Sequence, residues 1–314
     1  MFIEICFYNL FKKQFKYFFI IKMLCFRGNG NYSYDPVRNL NFERYKISNK
    51  VRVSWGIESL NCDYEKDYVN IAIYFEEPNF LLYKNVDYLS RKYDVKLTLC
   101  KYSAKKFNEI CTNKESHYVF FPIDTILLKE KIWDNYKYNL GTLVPTWKNI
   151  NVLYTGNDHS NVILDFKNIM KKYNENKCIE FPTYISKMET YLHSKIALVH
   201  NFLSLSEGDE HLWDEIPEFK DNYVIPQLKS RLFEAACSQC IILCCWDNYN
   251  VIEDWFTPNE DFLYFSSKNE LEKLIEDILN NYEKYSFIAL NAYNKFMNNY
   301  TLKHFIDRYI NKYV

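Results

Sequence analysis

The chain has 314 residues, of which 48% are hydrophobic and 25% are charged, so two domains with buried cores fit its length and wholesale disorder is excluded. Its 39 basic and 40 acidic residues leave a net charge of -1, which gives no general field for holding nucleic acid, and no nucleic-acid partner is expected. The excess of Lys over Arg and the abundance of Asn, Tyr and Phe are typical of an AT-rich genome. With only 6 glycines, the dinucleotide-binding fingerprint is incomplete and no P-loop occurs.

The first 22 residues are aromatic and apolar, with Lys12, Lys13 and Lys16 in their middle. The apolar runs fall short of the ~20 residues that span a bilayer, so no transmembrane segment is predicted. A signal peptide carries its basic residues before the apolar stretch, which is not the order here. Three interpretations stay open: a peripheral membrane contact, a helix packed on the body, or an upstream extension with Met23 as the start. The last two are favoured.

Several of the 10 cysteines lie inside apolar runs, as Cys100 and Cys240 do. Such positions are typical of reduced, buried thiols and favour a cytoplasmic location. Cys237 and Cys240 form a C-x-x-C pair, but a zinc site needs a second ligand pair, and none is visible. Core packing is therefore the favoured role of these thiols.

From residue 50 onwards, short β-rich runs alternate with amphipathic, helix-like stretches such as 161–173 and 268–282. Continuous hydrophobic strands separated by helices indicate parallel sheets that are covered on both faces. The sequence therefore predicts an α/β fold with two Rossmann-like, doubly wound domains. The predicted strands form two series: 51–55, 69–75, 94–99 and 117–123, followed by 149–156, 177–181, 195–201, 240–245 and 262–267.

The predicted organisation is an N-terminal extension at 1–22, a first domain at 23–145 and a second domain at 146–314. The boundary is placed in the Gly- and Pro-containing segment 139–149. Two doubly wound domains that face one another form a cleft at the carboxyl ends of their strands, where ligands bind. The last 30 residues are predicted to be helical, with Thr301 as an N-cap, and we expect a terminal helix to return to the first domain.

The segment 225–267 is the most informative part of the sequence, because it combines a charged helix with a buried strand. A helix is predicted from about Leu228 to Ser238. Lys229 or Arg231 at its N-terminus would neutralise a diphosphate, and Glu234 would accept both hydroxyls of a ribose. A solvated helix face with an intrahelical Lys–Glu pair is the alternative, and the pattern alone does not separate the two.

The run KSRLFEAAC (229–237), the apolar strand after it, and the segments NVIEDWF and FLYFSSKNELEKLI together resemble the C-terminal domain of GT-B glycosyltransferases. The nearest resemblance is to the CgeB-like group, which has phage and viral relatives. It extends back to VLYTGNDHSN and SKIALVHNFL and covers residues 149 to 310 approximately. The resemblance implies a nucleotide-sugar donor, UDP-sugar or GDP-sugar, in the second domain and a glycan or other hydroxyl acceptor in the first.

Residue by residue, the resemblance makes Glu234 the ribose-binding glutamate and Lys229 and Arg231 the basic residues near the donor phosphates. The loop under the diphosphate would consist of Gly156, His159 and Ser160. Many retaining members carry a second Glu eight residues earlier, where this sequence has Pro226, so the stereochemistry of transfer stays open. His200 also follows a predicted strand on the cleft side and is a further donor-binding candidate. For each lone His, a structural role is the alternative.

No Asp-x-Asp, the metal-binding motif of GT-A enzymes, occurs in the sequence, which agrees with metal-independent GT-B chemistry and with no cofactor. An inverting enzyme needs a general base near the acceptor hydroxyl. Glu76 and Glu77 are the leading candidates, because they follow an apolar strand that Pro78 ends; an acidic loop without a catalytic role is the equal alternative. Asp124 is a weaker candidate. His211, in an acidic segment, is expected in a solvated loop and not in a metal site.

The sequence thus predicts a metal-independent glycosyltransferase that moves a sugar from a nucleotide-diphosphate donor to a hydroxyl acceptor. Two alternatives stay open: a fucosyltransferase-like GT-B enzyme that uses a GDP-sugar, and a nucleotide-sugar-binding module that has lost catalysis.

Overall fold

The computed structural model describes residues 39–45, 47, 50–55, 66–74, 93–110, 114–136, 138–156, 161–175, 183–204 and 224–313. They contain two four-stranded sheets, and every neighbouring pair of strands within each sheet is parallel. Within each sheet, the described strands follow one another in chain order.

The first sheet has the order β1-β2-β3-β4. Val95 to Thr98 are all buried, as expected for a strand with a neighbour on each side and cover on both faces. Helix α1 follows β3 and packs Ala104 and Phe107 inward. The elements of this part of the chain are a 3-10 turn at Phe42–Arg44, β1 (Val51–Trp55), β2 (Val69–Tyr74), β3 (Val95–Thr98), α1 (Lys101–Ile110), β4 (Glu115–Tyr118), α2 (Thr125–Leu128), a π-helical turn at Lys129–Trp133 and α3 (Asp134–Tyr136).

The second sheet has the order β5-β6-β9-β10, and a short antiparallel pair, β7 and β8, follows β6. Its elements are β5 (Ile150–Leu153), α4 (Asn161–Tyr173), α5 (Tyr184–His193), β6 (Ser194–Val199), β7 (Phe202–Ser204), β8 (Val224–Pro226), α6 (Ser230–Cys237), β9 (Ile241–Cys245), a 3-10 turn at Val251–Asp254, β10 (Leu263–Phe265), α7 (Lys268–Asn280), α8 (Tyr282–Asn299), α9 (Leu302–Tyr309) and a 3-10 turn at Asn311–Tyr313.

The C-terminal helices return to the first sheet, as predicted. Thr301 forms a parallel bridge with Ile123, and the amide of Leu302 donates to the carbonyl of Ile123 at 2.9 Å. Phe120, which is fully buried, packs its ring against Phe233 of α6 and Phe305 of α9, with centroids 6.1 and 5.6 Å apart. The apolar core is therefore continuous from one sheet to the other.

The carboxyl end of β3 meets the second sheet's half of the chain. The amide of Leu228, just before α6, donates to the carbonyl of Leu99 at 3.0 Å. Lys101, at the start of α1, forms an ion pair with Asp254 at 3.0 Å. The predicted α/β fold, with two Rossmann-like sheets that face each other, is confirmed.

Two expectations about individual elements need correction. The strand predicted at 117–123 is shorter and begins earlier, at Glu115, because β3 ends at Thr98 and the amide of Val119 makes the last bond to it. Thr301 is at the N-cap position of α9, but its hydroxyl contacts His304 and caps no backbone amide. The strand predicted at 177–181 lies outside the described residues.

We predict that Phe120→Ala lowers the free energy of unfolding by about 3–5 kcal/mol, because it removes a buried ring at the contact between the two halves. Phe287→Ala is the control: Phe287 is 44% exposed, and surface substitutions change stability by about 0.5 kcal/mol. Urea denaturation of both variants measures the difference. Equal effects in the two variants would contradict the continuous core.

Candidate active site

The candidate site lies where the strands of the second sheet reach their carboxyl ends. β5 continues into Tyr154 and Gly156, β6 continues into His200 and Asn201, and α6 begins beside them at Ser230. Because parallel strands end at a common edge, residues that are far apart in the sequence meet here.

Arg231, in the first turn of α6, is the centre of the site. Its Nη1 donates to the Tyr154 hydroxyl at 2.7 Å and to His200 Nε2 at 2.9 Å. The guanidinium also lies 5.0 Å from the centroid of the Tyr154 ring, within the range of a cation–π contact. Both partners are neutral, and among the described residues Arg231 has no carboxylate partner. Its positive charge is therefore uncompensated within this part of the chain.

His200 is held in its neutral form. Arginine only donates hydrogen bonds, so Nε2 accepts from Arg231, and Nδ1 carries the proton that it donates to the carbonyl of Phe202 at 3.1 Å. Burial, together with the positive charges of Arg231 and Lys229, lowers the pKa of His200 well below its ordinary value. His200 is 5% exposed. A ligand would therefore contact the groups that cover His200 and not the imidazole itself.

Gly156 lies directly over the contact between Tyr154 and Arg231. A Cβ at this position would overlap the hydroxyl of Tyr154 and come within 2.7 Å of Arg231 Nη1. The absence of a side chain thus leaves room for the Tyr154–Arg231 hydrogen bond. Gly156 was predicted to lie under the diphosphate, and the structure brings it together with Arg231 and His200.

The turn that leads into α6 is fixed by its own hydrogen bonds. The carbonyl of Asn201 accepts from the amide of Gln227 at 2.9 Å, and its side-chain oxygen accepts from the amide of Lys229 at 3.2 Å. The ammonium of Lys229 contacts the side-chain oxygen of Gln227 at 2.9 Å. Lys229 is the N-cap residue of α6, so its charge lies at the positive end of the helix dipole.

Glu234 lies one turn further along α6 and is fully buried. Lys187 of α5, which is also buried, places its ammonium 2.7 Å from Glu234 Oε1. Oε2 has no hydrogen-bond partner among the described residues. The solvated helix face considered as an alternative is wrong, because Leu232 to Cys237 are all buried and the lysine partner comes from another helix.

Asp124, the weaker candidate for a base, has a structural role. Its carboxylate caps α2 by accepting from the amides of Ile126 and Leu127 at 3.2 and 3.1 Å, and its other oxygen accepts from the amide of Asn41. Burial raises the pKa of Asp124, while these amides oppose the rise. Both carboxylate oxygens therefore accept hydrogen bonds from the backbone.

Glu76, Glu77, His159, Ser160 and His211 lie outside the described residues. Within the described ranges, no group of three or more His, Cys, Asp or Glu side chains is arranged to hold a metal ion, and no helix is long and apolar enough to cross a bilayer. Cys237 and Cys240 are buried, and burial raises the pKa of both thiols.

Three residues of the site, Tyr154, Asn201 and Lys187, were not predicted from the sequence. Tyr154 and Asn201 stand at the ends of correctly predicted strands, so their position relative to the sheet edge was the available signal. Lys187 gave no signal, because its pairing with Glu234 depends on how α5 packs against α6.

We predict that protonation of His200 destabilises the fold. The pKa of His200 is lowered in the folded protein. Above pH 6.5 the imidazole is therefore neutral in the folded and in the unfolded chain, and it does not lower the free energy of unfolding. As pH falls below that value, the unfolded chain binds a proton that the folded chain excludes, and stability falls by up to about 1.4 kcal/mol per pH unit. His200→Gln, which keeps an acceptor but does not titrate, lacks this loss.

The measurement is the free energy of unfolding of both proteins in urea between pH 8 and pH 5. The two curves should diverge below pH 6.5, with the wild type losing more stability; the other histidines titrate in both proteins and cancel. A constant difference across this range would show that His200 is not held neutral.

A family model described as glycosyl transferase-like matches residues 147–311, more than half of the chain. Among solved structures, the chain is similar to HepE of Anabaena in complex with UDP and glucose, with 10% identity over 80% of this chain and 74% of that chain and a TM-score of 0.45. It is similar at 9% identity to sucrose-phosphate synthase of Thermosynechococcus elongatus, over 81% and 70%, with a TM-score of 0.44. The chain is also similar to TarM at 12% identity, over 83% of this chain and 54% of that chain, with a TM-score of 0.44.

No curated protein matches the sequence. The solved structures are too distant to carry an argument about activity, so the assignment of the chain to a family rests on the family model. It spans the chain from just before β5 to the residues after α9, which includes the whole Arg231 site. The resemblance and the enzyme class predicted from the sequence are confirmed: the chain belongs to the glycosyl transferase-like family and is a glycosyltransferase.

Proposed function

We propose that this glycosyltransferase takes its sugar from a nucleotide diphosphate donor, UDP-sugar or GDP-sugar, and transfers it to a hydroxyl acceptor without a metal ion. The observation that carries the proposal is Arg231: a partly exposed cation at a helix N-terminus, hydrogen-bonded only to neutral groups among the described residues, next to a glycine. Such a group binds phosphate oxygens by charge-assisted hydrogen bonds. It would also stabilise the diphosphate as it leaves the sugar.

The nucleotide-sugar would be held by the second domain, which we place at 146–314, and the acceptor by the first, at 23–145. Lys229 would add a second positive charge at the start of α6, and His159 and Ser160 would extend the phosphate loop that begins at Gly156. Glu234 would bind the ribose through Oε2, which lies outside the ion pair that Oε1 forms with Lys187 and has no hydrogen-bond partner among the described residues. A ribose would reach it only by displacing the side chains that bury it.

We propose Glu77 or Glu76 as the general base; in the sequence, Glu76 follows the end of β2 at Tyr74 by two residues and Glu77 by three. The neighbouring strand β3 ends at the contact between Leu99 and Leu228, so the carboxyl edge of the first sheet faces the start of α6. A carboxylate at this edge would take the proton from the acceptor hydroxyl as the bond to the sugar forms.

A cytoplasmic location agrees with the buried thiols.

Pro226 bears on the stereochemistry of the proposed transfer. This residue stands in β8 where, by the resemblance, many retaining members carry a glutamate, so one of the two carboxylates of a retaining site is absent. An inverting transfer with a separate general base agrees with this absence.

We predict that UDP or GDP stabilises the protein against thermal unfolding, by about 2.7 kcal/mol at 100 times the dissociation constant, and that EDTA does not change this effect. Arg231→Gln should weaken nucleotide binding about 10- to 100-fold, the loss expected for a charge-assisted hydrogen bond. Arg308→Gln, on the exposed side of α9, is the matched control and should bind as the wild type does.

Glu77→Gln and Glu76→Gln test the proposed general base. At least one of them should lose turnover of the donor sugar while its nucleotide affinity stays unchanged. Full turnover in both variants would contradict this assignment, and the absence of stabilisation by UDP, GDP, ADP, CMP and dTDP would contradict the donor site.

A further inference from the structure

An exposed indole stands at the carboxyl edge of the second sheet, one strand away from the Arg231 site. Trp246 is the residue directly after β9, and it is 48% exposed. It is the one residue directly after a strand of the second sheet among the most exposed large apolar side chains of the described ranges: Ile126, Leu143, Val144, Trp246 and Phe287. Its ring is therefore accessible to a ligand bound at that edge.

The strand register places Trp246 beside the residues that hold the start of α6. The last paired residues of β6 and β9 are Val199 and Cys244. Two residues beyond them come Asn201 and Trp246. Neighbouring strands lie about 5 Å apart. Asn201 accepts a hydrogen bond from the amide of Lys229, so Trp246 stands one strand spacing from the turn that leads to Arg231.

The backbone on both sides of Trp246 is fixed. Its amide donates to the carbonyl of Phe265 in β10 at 2.8 Å. The side chain of Asp247, the next residue, accepts from the amides of Tyr249 and Asn250 at 2.8 and 2.9 Å and closes a tight turn. The indole is therefore carried by an ordered backbone, which lowers the entropy cost of a contact with a ligand.

The indole of Trp246 has no partner in the part of the chain that the structure describes. Its N–H makes no hydrogen bond there, and its ring packs against no other aromatic ring. Trp255 is the contrast: its N–H donates to the Tyr118 hydroxyl at 2.9 Å, and its ring packs against Phe120 with centroids 5.7 Å apart. Trp255 thus joins the two halves of the chain, whereas the face of Trp246 stays available to a ligand.

The segment that follows Trp246 leads directly to the first half of the chain. The carbonyl of Val251 accepts from the Tyr118 hydroxyl at 3.4 Å, and Asp254 forms the ion pair with Lys101. The end of β9 is therefore close to the half that would hold the acceptor.

The order of the strands indicates which part of the donor would meet the indole. Arg231 contacts the residues that follow β5 and β6. Glu234, which would bind the ribose, pairs with Lys187 of α5, and α5 packs on β5 and β6. The nucleoside would thus extend from Arg231 towards α5. The sheet order is β5-β6-β9, so the sugar at the other end of the diphosphate would extend towards β9 and Trp246.

We propose that the Trp246 indole packs against the ring of the transferred sugar while Arg231 holds the diphosphate. The C–H face of a sugar ring and the face of an indole are both apolar, so their contact removes apolar area from water. Because the sugar is bonded directly to the diphosphate, its ring would lie close to Arg231, as Trp246 does. Trp246 would then favour donors whose sugar has an unbroken C–H face. This role of Trp246 rests on the proposed function, because it assumes that the donor diphosphate binds at Arg231.

The test is isothermal titration calorimetry of the full chain with two nucleotides and their sugars: UDP, UDP-glucose, UDP-galactose and UDP-N-acetylglucosamine, and GDP, GDP-mannose and GDP-fucose. We expect Trp246→Ala to weaken the binding of at least one nucleotide-sugar about threefold to tenfold, the range of a single aromatic contact, and to leave the affinity for the matching nucleotide unchanged. Trp246→Phe keeps a smaller ring and should lose less. Phe287→Ala, the matched control, removes a similarly exposed ring from α8 and should bind every ligand as the wild type does.

The comparison of nucleotide with nucleotide-sugar isolates the contact with the sugar, because a change in folding or in the phosphate site would weaken both ligands. Equal affinities of the wild type and Trp246→Ala for every nucleotide-sugar would overturn this role, and so would equal weakening of nucleotide and nucleotide-sugar. In both cases UDP or GDP still binds the wild type, and the proposed donor site stands. Failure of every nucleotide and nucleotide-sugar to bind the wild type would contradict the donor site itself, and the role of Trp246 with it.

Discussion

The site depends on one constraint, a guanidinium that is held without a counter-ion among the described residues. Arg231 donates to a tyrosine hydroxyl and a neutral imidazole, which fix its direction and do not cancel its charge. The same charge helps to keep His200 neutral, and the close approach of Tyr154 and Arg231 excludes a side chain at Gly156. An anion completes this arrangement better than any neutral ligand, because a partly buried charge is stable only when it is paired or hydrated.

The packing of the two halves places this cation. Leu228, the residue before the N-cap of α6, donates a backbone hydrogen bond to Leu99 at the end of β3. The residues after Arg231 are buried in the common core with Phe120 and α9. Helix α6 is thereby fixed at both ends, with its first turn at the contact between the sheets. A buried ion pair, Lys187 with Glu234, holds the same helix against α5; breaking such a pair by removing one partner is strongly destabilising.

The sequence predicted the features that depend on local pattern. Strands such as β5 and β9 are continuous apolar runs, and α6 has a basic start and a small-residue end, so their bounds were found within a few residues. Features that depend on packing were not predictable. The partner of Glu234, the capping role of Asp124 and the length of β4 follow from neighbours distant in sequence. The π-helical turn that ends at Trp133 has no sequence signal of its own.

We propose that the carboxyl edge of the second sheet holds the diphosphate of the donor. A crystal structure of the protein with the nucleotide that stabilises it most tests this directly. We expect a phosphate oxygen within hydrogen-bond distance of the Arg231 guanidinium, next to the backbone of Gly156, with the Tyr154 and His200 contacts retained. A nucleotide bound elsewhere on the chain, with Arg231 still contacting only Tyr154 and His200, would contradict it.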